Sequence, residues 1–440
     1  MTAAPALSTQ LQWAARGLRA VDEGHSSTEW LGQCPADLRP GVQAILLTAL
    51  RHLGVGRALR HQLVPKAPAP AVDALVTLGL ALMAQPDPMY PEHTLVSQAV
   101  EAVKKESRSR ALAPLINACL RRFARERTSL LERVQHDPQA RYNHPEWWVR
   151  QLQADHPQAW PQILQQAQQR PPLVLRVNLR RTGLDDWLQR CTQAGLLVRP
   201  LGGAAVWLPQ PVPVQQIPGF AQGECSVQDL AAQMAAPLLL DALGPSPQGR
   251  RWQVLDACAA PGGKTAHLLE YANTEVLALD VDSQRLDRVR ANLQRLGLQA
   301  RTMCADAARP ETWLNPQQTF DAVLLDAPCS ASGIVRRHPD IAWLRRPQDL
   351  PALARQQQAL LQALWPTLRP GGFLLYCTCS VFKIEGETQA QTFVAHNTDA
   401  VRMPAPGHLT PVLGRNDSVV GDNHICEPDG FFYALLQKSA

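Results

Sequence analysis

The chain lacks an apolar run of the length that a membrane-spanning helix needs. Such a helix takes about 20 consecutive apolar residues, and the 440 residues nowhere reach that length. The start, MTAAPALSTQLQWAARGLRA, has no long apolar core behind a basic end, so no signal peptide is expected. With 45% hydrophobic and 18% charged residues, the composition is not that of a disordered chain either. A globular protein of about three domains is therefore predicted.

Zinc-ligand spacing is also missing from the ten cysteines. No two CxxC motifs follow each other, and Cys377 and Cys379 form CxC, which is too close for the usual zinc knuckle. The sequence therefore predicts no metal site. Reduced thiols in the cytoplasm are the simplest interpretation.

The glycine-rich stretch WQVLDACAAPGGKT (252–265) matches neither GxGxxG nor the P-loop spacing GxxxxGK[ST]. Its apolar start is typical of a buried parallel strand, and a helix is predicted from about Lys264. Gly262 and Gly263 would allow positive φ and the close approach of a ligand. Strand, glycine turn and helix form the ligand pocket of a doubly wound α/β sheet, although a purely structural turn is an alternative.

Further apolar segments predict the rest of that sheet. EVLALDVD (275–282) ends in Asp280, whose carboxylate would suit the ribose of NAD as well as that of S-adenosylmethionine. QARTMCADA ends in Asp306, which is placed to meet an adenine amino group. The remaining predicted strands are FDAVLLDAPCSASG, FLLYCTCSVFKIEGE and the terminal FFYALLQKS.

Two helices between these strands have predicted ends. SQRLDRVRANLQRLG is expected to begin at an N-cap Ser283 and to stop at Gly297. DLPALARQQQALLQALWPTLRPGG is expected to stop at Pro370 and Gly371. The fold class predicted for residues 225–440 is therefore α/β.

The rest of the chain differs in pattern. Residues 1–142 are predicted to be all-helical, with apolar residues at helical spacing. Residues 143–224 are predicted to form a small α+β region, in which LVLRVNLRR alternates like a half-buried strand.

Positive charge is concentrated in the first third of the chain. Residues 1–150 hold 18 Lys and Arg against 13 Asp and Glu, whereas residues 151–440 hold 25 of each kind. The excess could attract a polyanion, and solvated helix faces are the alternative. The clustered basic residues are Lys104, Lys105, Arg108, Arg110, Arg121, Arg122, Arg125 and Arg127, with Phe123 among them.

The ends of the fourth and fifth strands carry thiols and a carboxylate. Cys329 follows Asp326 by three residues, and Cys379 ends the next strand. A thiolate that adds to C6 of cytosine makes C5 nucleophilic enough to accept a methyl group from a sulfonium donor. A proton donor near N3 assists that addition, and Asp326 is placed for it. Small core cysteines are the alternative, which we accept for Cys258 and Cys377.

Three segments resemble the RNA cytosine-C5 methyltransferases: DACAAPGGKT, LDAPCSASGIVRRHPDIAWLRR and LLYCTCSVFKIEGE. The order of the regions resembles the bacterial 16S rRNA type of this family (RsmB, Sun/Fmu) over nearly the whole chain. INACLRRFARER looks like the closing helix of its NusB-like amino-terminal domain, and PPLVLRVNLRRTGLDDWL resembles its middle segment. The chain departs from the family at FKIEGE, where a PxEN-type sequence is common and Glu387 takes the second acidic position.

The resemblance implies a Rossmann-like, S-adenosylmethionine-dependent methyltransferase domain after an all-α NusB-like RNA-binding domain and a small α+β insert. It implies that Cys379 is the nucleophile and that Cys329 releases the product. DNA cytosine methyltransferases use the PC cysteine as the nucleophile instead, so these two roles come from the family and not from spacing. It also implies a cofactor site formed by Cys258, Ala259, Ala260, Pro261, Gly262, Gly263, Lys264, Asp280, Asp306 and Asp326.

The predicted partner is 16S rRNA, either naked or in a small-subunit assembly intermediate, and the protein is expected to be a cytoplasmic monomer. Basic residues after the PCS motif could bind phosphates, or form a surface loop with ion pairs to Asp340 and Asp349. They are Arg336, Arg337, Arg345 and Arg346, with His338 beside them. Two other functions stay open: an RNA-binding protein with a decayed enzyme domain, and an NAD-dependent enzyme.

Overall fold

The computed structural model describes residues 5–247, 249–410 and 427–440. Parts of the predicted ranges 1–142 and 225–440 lie outside these residues. Within them the chain separates into two compact units. One contains the chain up to Arg170 together with Ile334–Pro347, and the other contains Pro171–Gly333 and Gln348–Ala440. The division into 1–142, 143–224 and 225–440 stays a prediction.

The first unit consists of helices around one apolar core. The predicted stripe on the first helix is confirmed, since Leu11, Leu18 and Val21 are all buried there. The helices are α1 (Leu7–Asp22), α2 (Ser27–Gly32), α3 (Arg39–Leu50), α4 (Leu53–Leu63), α5 (Pro70–Met83), α6 (Glu92–Lys104), α7 (Ala113–Val134), α8 (Pro138–Tyr142), α9 (Glu146–Asp155) and α10 (Trp160–Ala167). No helix in the described parts of the chain is both long and apolar enough to cross a membrane.

A small antiparallel sheet opens the second unit. Its strands are β1 (Leu173–Val177), β2 (Arg199–Gly202), β3 (Ala205–Leu208) and β4 (Cys225–Val227), in the order β2-β3-β1-β4. One helix, α11 (Leu184–Gln193), packs its fully buried Trp187 into the core of this sheet. The strand predicted in LVLRVNLRR is confirmed over Leu173–Val177.

A larger sheet follows, with the order β10-β11-β9-β8-β5-β6-β7. Its strands are β5 (Trp252–Asp256), β6 (Thr274–Asp280), β7 (Arg301–Cys304), β8 (Phe320–Asp326), β9 (Leu368–Thr378), β10 (Ala400–Leu409) and β11 (Phe431–Lys438). Strands β5 to β9 pair in parallel, whereas β11 is antiparallel to β9. The chain runs outward from β5 through β6 to β7 and returns to β8 on the other side of β5, so a ligand crevice is expected at the carboxyl ends of β5 and β8.

The further helices of this unit are α12 (Ala235–Leu243), α13 (Gly263–Tyr271), α14 (Ser283–Leu296), α16 (Asp349–Leu364) and α17 (Glu387–His396), whereas the short α15 (Ile341–Leu344) belongs to the first unit. The predicted N-cap of α14 was wrong by one residue, because the Asp282 carboxylate accepts from the N–H groups of Gln284 and Arg285. Its predicted stop is confirmed, since Gly297 caps the helix with φ +65°.

The predicted end of α16 was also wrong. This helix ends at Leu364, before the turn Trp365–Thr367, and Pro370 lies in β9. Pro366 has no N–H to continue the helical hydrogen bonds, so the first proline and not the second accompanies the end of the helix.

Candidate active site

The glycine turn after β5 lies against the end of β6. Gly262 has φ +95°, and a Cβ there would come within 3.1 Å of the Cα atom of Val289, so glycine is required. The N–H of Ala260 donates to Oδ2 of Asp280 at 3.2 Å. The glycine turn and Asp280, two parts of the predicted cofactor site, are therefore adjacent. Positive φ at Gly263 was predicted wrongly, because this residue begins α13.

Asp306 follows β7 at the same edge of the sheet. It is exposed, and its Oδ1 accepts from the N–H of Ala308 at 2.9 Å. Asp280, in contrast, is buried at the end of β6, and β6 and β7 are paired neighbours. The two carboxylates predicted to bind the nucleoside thus end adjacent strands.

A third carboxyl group, Asp256, was missed by the sequence analysis. It ends β5, is fully buried, and accepts from the Thr265 hydroxyl at 2.6 Å through Oδ2. Its Oδ1 has no hydrogen-bond partner among the described residues. Burial raises the pKa of Asp256 to about 7. The signal was present in LDACAA, where an acidic residue interrupts an apolar strand just before the glycine turn.

The thiols of Cys329 and Cys379 meet. Cys329 follows β8 and Cys379 follows β9, and these strands pair in parallel up to Asp326 and Cys377. The two Sγ atoms are 3.5 Å apart, and both residues are partly exposed. Hydrogen bonding with Cys379, together with burial, raises the pKa of the Cys329 thiol well above its ordinary value. Cys329 therefore holds its proton near neutral pH.

Asp326 bonds the cofactor turn through one oxygen and Cys377 of β9 through the other. The Nζ atom of Lys264 donates to its Oδ2 at 2.6 Å, and the Cys377 thiol donates to its Oδ1 at 3.5 Å. Burial opposes the charge on Lys264, but Asp326 and the neighbouring cysteines outweigh it and raise the pKa of this lysine. A charged ammonium therefore lies beside Asp326.

The sequence analysis interpreted Cys258 and Cys377 as packing residues, and both pack against the larger sheet or within it. Cys258 lies against the core of the larger sheet, and Cys377 is fully buried in β9. Burial raises the pKa of each thiol above its ordinary value. Neither thiol is therefore poised as a thiolate.

Downstream of Cys379, the acidic residues of FKIEGE have different environments. Glu387 pairs with Arg402 at 2.6 Å, and this hydrogen bond lowers the pKa of Glu387. Glu385 is fully buried beneath the two thiols. The sequence analysis considered Glu387 and missed Glu385, although both stand in the same motif.

The predicted RNA-binding residues of α6, α7 and their connection are mostly exposed. Lys104 pairs with Glu101 at 2.8 Å and Arg122 with Glu126 at 3.2 Å, one helical turn away. These pairs are those expected of solvated helix faces. Phe123 is fully buried, so it cannot stack on a base. The exposed arginines include Arg108, Arg110, Arg121 and Arg125.

The arginines after the PCS motif lie in the segment Ile334–Pro347, which is part of the helical unit. Within that unit Arg51 donates to the Arg336 carbonyl at 2.8 Å, and buried Asp340 accepts from the N–H of Ser27 at 2.7 Å. The Arg336 side chain is only 5% exposed, which leaves it little surface to offer a phosphate. The other members of the set, Arg337, Arg345 and Arg346, are partly or fully exposed.

Comparison with known proteins gives consistent matches. A model of the family described as 16S rRNA methyltransferase RsmB/F matches residues 242–437. A model of the ferredoxin-like domain of RsmF/B-like methyltransferases matches residues 144–215.

Individual proteins match over most of the chain. The ribosomal RNA small subunit methyltransferase B of Klebsiella pneumoniae is 43% identical over 79% of this chain and 78% of its own length. The protein of the same name from Vibrio cholerae is 38% identical over 96% of this chain and 95% of its own. The crystal structure of a methyltransferase homologue from Pyrococcus horikoshii, 26% identical, superposes with a TM-score of 0.56 over 69% of this chain and 98% of its own. The predicted α/β methyltransferase fold is confirmed.

Proposed function

Because the chain belongs to the RsmB/F family of 16S rRNA methyltransferases, we propose that it methylates C5 of a specific cytidine through a covalent cysteine–C6 adduct. S-adenosylmethionine is the methyl donor. The observation that carries the proposal is the 3.5 Å separation of the Cys329 and Cys379 sulfur atoms. Family membership favours an enzyme over the two alternative functions, a decayed RNA-binding protein and an NAD-dependent enzyme.

The residues of the glycine turn fit the methyl donor. Gly262 and Gly263 present backbone without side chains, and the buried Oδ1 of Asp256 points to a missing donor at the end of β5. We propose that Cys258–Lys264, Asp280, Asp306 and Asp326 hold S-adenosylmethionine. Bound there, it would supply an electrophilic methyl group on a sulfonium sulfur.

The proposed chemistry assigns one role to each reactive side chain. The Cys379 thiolate adds to C6 of the cytosine, and N3 gains a proton that the Lys264 ammonium supplies through the Asp326 carboxyl group. C5 then takes the methyl group. Once the Cys379 sulfur is bonded to C6 it carries no charge, so Cys329 can give its proton to solvent. The Cys329 thiolate then takes the C5 proton, the C6–S bond breaks and the Cys379 thiolate returns.

A thiolate, and not a thiol, attacks carbon. The two sulfur atoms are 3.5 Å apart, so a charge on one raises the pKa of the other, and only one of them is expected to be a thiolate at a time. The family resemblance assigns that thiolate to Cys379. Asp326 is held from both sides, by Lys264 and Cys377, which fixes its orientation toward the crevice.

The base must leave its stack to reach Cys379, and the RNA must be held while it does. We propose that the basic residues of α6 and α7 and the exposed arginines of Ile334–Pro347 bind 16S rRNA, naked or partly assembled. Such a substrate implies a cytoplasmic enzyme.

Substitution of each thiol tests the assignment. Cys329→Ala, incubated with undermodified 16S rRNA and S-adenosylmethionine, should accumulate a covalent protein–RNA adduct that survives denaturing electrophoresis. Cys379→Ala should form none. Cys34→Ala, in the core of the helical unit, is the control and should methylate without accumulating adduct. An adduct in Cys379→Ala but not in Cys329→Ala would reverse the two roles.

A further inference from the structure

A buried carboxylate beneath the two thiols has no part in the proposed chemistry. Glu385 lies in the turn Lys383–Glu385 after β9 and has no exposed surface. Its Oε1 accepts from the Ser330 N–H at 2.8 Å and from Nε2 of Gln357 at 3.3 Å. Its Oε2 accepts from the hydroxyls of Ser330 and Ser380, the latter at 2.6 Å. Such a group is tolerated in a core only when donors of this kind surround it.

The serines connect this carboxylate to both thiols. Ser330 is the residue after Cys329, and Ser380 is the residue after Cys379. The loops also touch directly, since the Gly333 N–H donates to the Cys379 carbonyl at 2.9 Å. One carboxylate thus holds the backbone next to each sulfur atom.

A strained residue in the same loop is further evidence that the loop is held in place. Ala331 has φ +60°, a left-handed conformation that costs an alanine about 1–2 kcal/mol. Strain of this kind persists only where surrounding contacts fix the backbone. The hydroxyl of Ser332, on the other side of Ala331, accepts from the Val381 N–H at 2.9 Å.

We propose that Glu385 is a positioning residue: by bonding Ser330 and Ser380 together, it sets the distance between the Cys329 and Cys379 sulfur atoms. Its consequence for catalysis rests on the two-thiol reaction proposed above. The distance itself does not, because it can be measured without RNA or methyl donor. The expected loss is in product release, where both sulfur atoms must face one base.

The test is the ease with which the two thiols form a disulfide. The Cys379 thiolate attacks oxidised glutathione and releases one glutathione thiolate, and Cys329 then displaces the second, so two protein thiols are oxidised and one glutathione disulfide is reduced. Titration in glutathione buffers, with peptide mass spectrometry of the Cys329–Cys379 pair, gives the effective concentration of one thiol for the other.

Glu385→Gln keeps the shape but replaces one accepting oxygen by an NH2 group, so serine donors lose their acceptor. The effective concentration should fall about tenfold or more, and kcat should fall while the Kd for S-adenosylmethionine stays unchanged. Glu387→Gln is the matched control, because Glu387 stands two residues on, is partly exposed and pairs with Arg402 instead of the serines. Its effective concentration should equal that of wild type. Thermal unfolding identifies any variant that fails to fold.

Ser330→Ala decides the question if Glu385→Gln does not fold, because it removes a hydroxyl donor and leaves the carboxylate in place. In this variant too, the effective concentration of one thiol for the other should fall. A folded variant with wild-type effective concentration would overturn the inference. A lowered effective concentration with normal adduct turnover would instead keep the role of Glu385 and reject the two-thiol reaction.

Discussion

At the scale of single residues, the site combines groups that sequence motifs reveal with groups that they do not. Cys329, Cys379 and Asp326 stand in recognisable motifs, and the structure brings the first two sulfur atoms to 3.5 Å and pairs Asp326 with Lys264. Asp256 ends an apolar strand and Glu385 stands in the mixed segment FKIEGE, and only their burial distinguishes them from the solvated carboxylates on the surface. We consider these two residues functional candidates because burying a carboxyl group costs free energy.

Asp256 gives a prediction about pH. Its pKa is raised to about 7 in the folded protein from an ordinary value of 3.8, so the folded state binds the extra proton between these values. Stability contributed by the protonated form is therefore lost as pH rises from about 4 to 7. Asp256→Asn should remove this loss, worth on the order of 2–4 kcal/mol.

Chemical denaturation of both proteins across pH 4 to 8 measures the difference. The free energy of unfolding of Asp256→Asn should rise relative to that of wild type as the pH rises to about 7. Above that pH the difference between the two proteins should stay constant. Parallel stability profiles for the two proteins would contradict the raised pKa.

At the scale of elements, the small sheet and the cofactor turn are joined by one buried ion pair. Arg176 of β1 donates through Nε to Oε2 of Glu270 on α13 at 2.9 Å and through Nη2 to Oε1 at 3.1 Å. Its Nη1 donates to the Gly263 carbonyl at 3.2 Å and also bonds Gln228. Both charged side chains are at most 5% exposed. The strand thus supports the start of the helix that follows the glycine turn.

Removing one partner of this pair should be costly, because the other charge is left buried. Arg176→Met should lower the free energy of unfolding by about 3–5 kcal/mol. The double variant Arg176→Met with Glu270→Leu should recover most of that loss, since two apolar side chains replace the pair. A double-mutant cycle by chemical denaturation measures this coupling, and additive losses would show that the two side chains act independently.

At the scale of the whole molecule, charge is divided unequally along the chain. The excess of positive charge lies within residues 1–150, and residues 151–440 are balanced. Arg121 and Arg125 lie one helical turn apart on α7 and are both exposed. Such residues would add to affinity for a polyanion by releasing counterions, without reading its sequence.

Arg121→Ala combined with Arg125→Ala should weaken binding of 16S rRNA and reduce its salt dependence. The slope of log Kobs against log salt concentration should become shallower by about 1–2, since each phosphate contact contributes about 0.7–0.9. Arg288→Ala with Arg355→Ala, exposed in the balanced region, is the matched control. Equal slopes for the two double variants would favour the solvated-face interpretation.

The amino-acid sequence by itself determined the local elements and the chemistry at their ends. Hydrophobic periodicity and glycine position are local properties, and they were sufficient for the α/β class, for the turn at Gly262 and for the thiols at strand ends. Local prediction was wrong where two similar signals competed, as at Asp282 beside Ser283, at Gly262 beside Gly263 and at Pro366 before Pro370.

Only the tertiary structure decided which distant residues meet. The order of strands puts β8 beside β9, and that pairing, with the loops that follow it, brings two sulfur atoms 50 residues apart in sequence to 3.5 Å. It also buried Glu385 between Ser330 and Ser380 while leaving Glu387 partly exposed, and it buried Arg336. A hydrogen bond or a buried charge depends on partners far along the chain, and no local pattern records those partners.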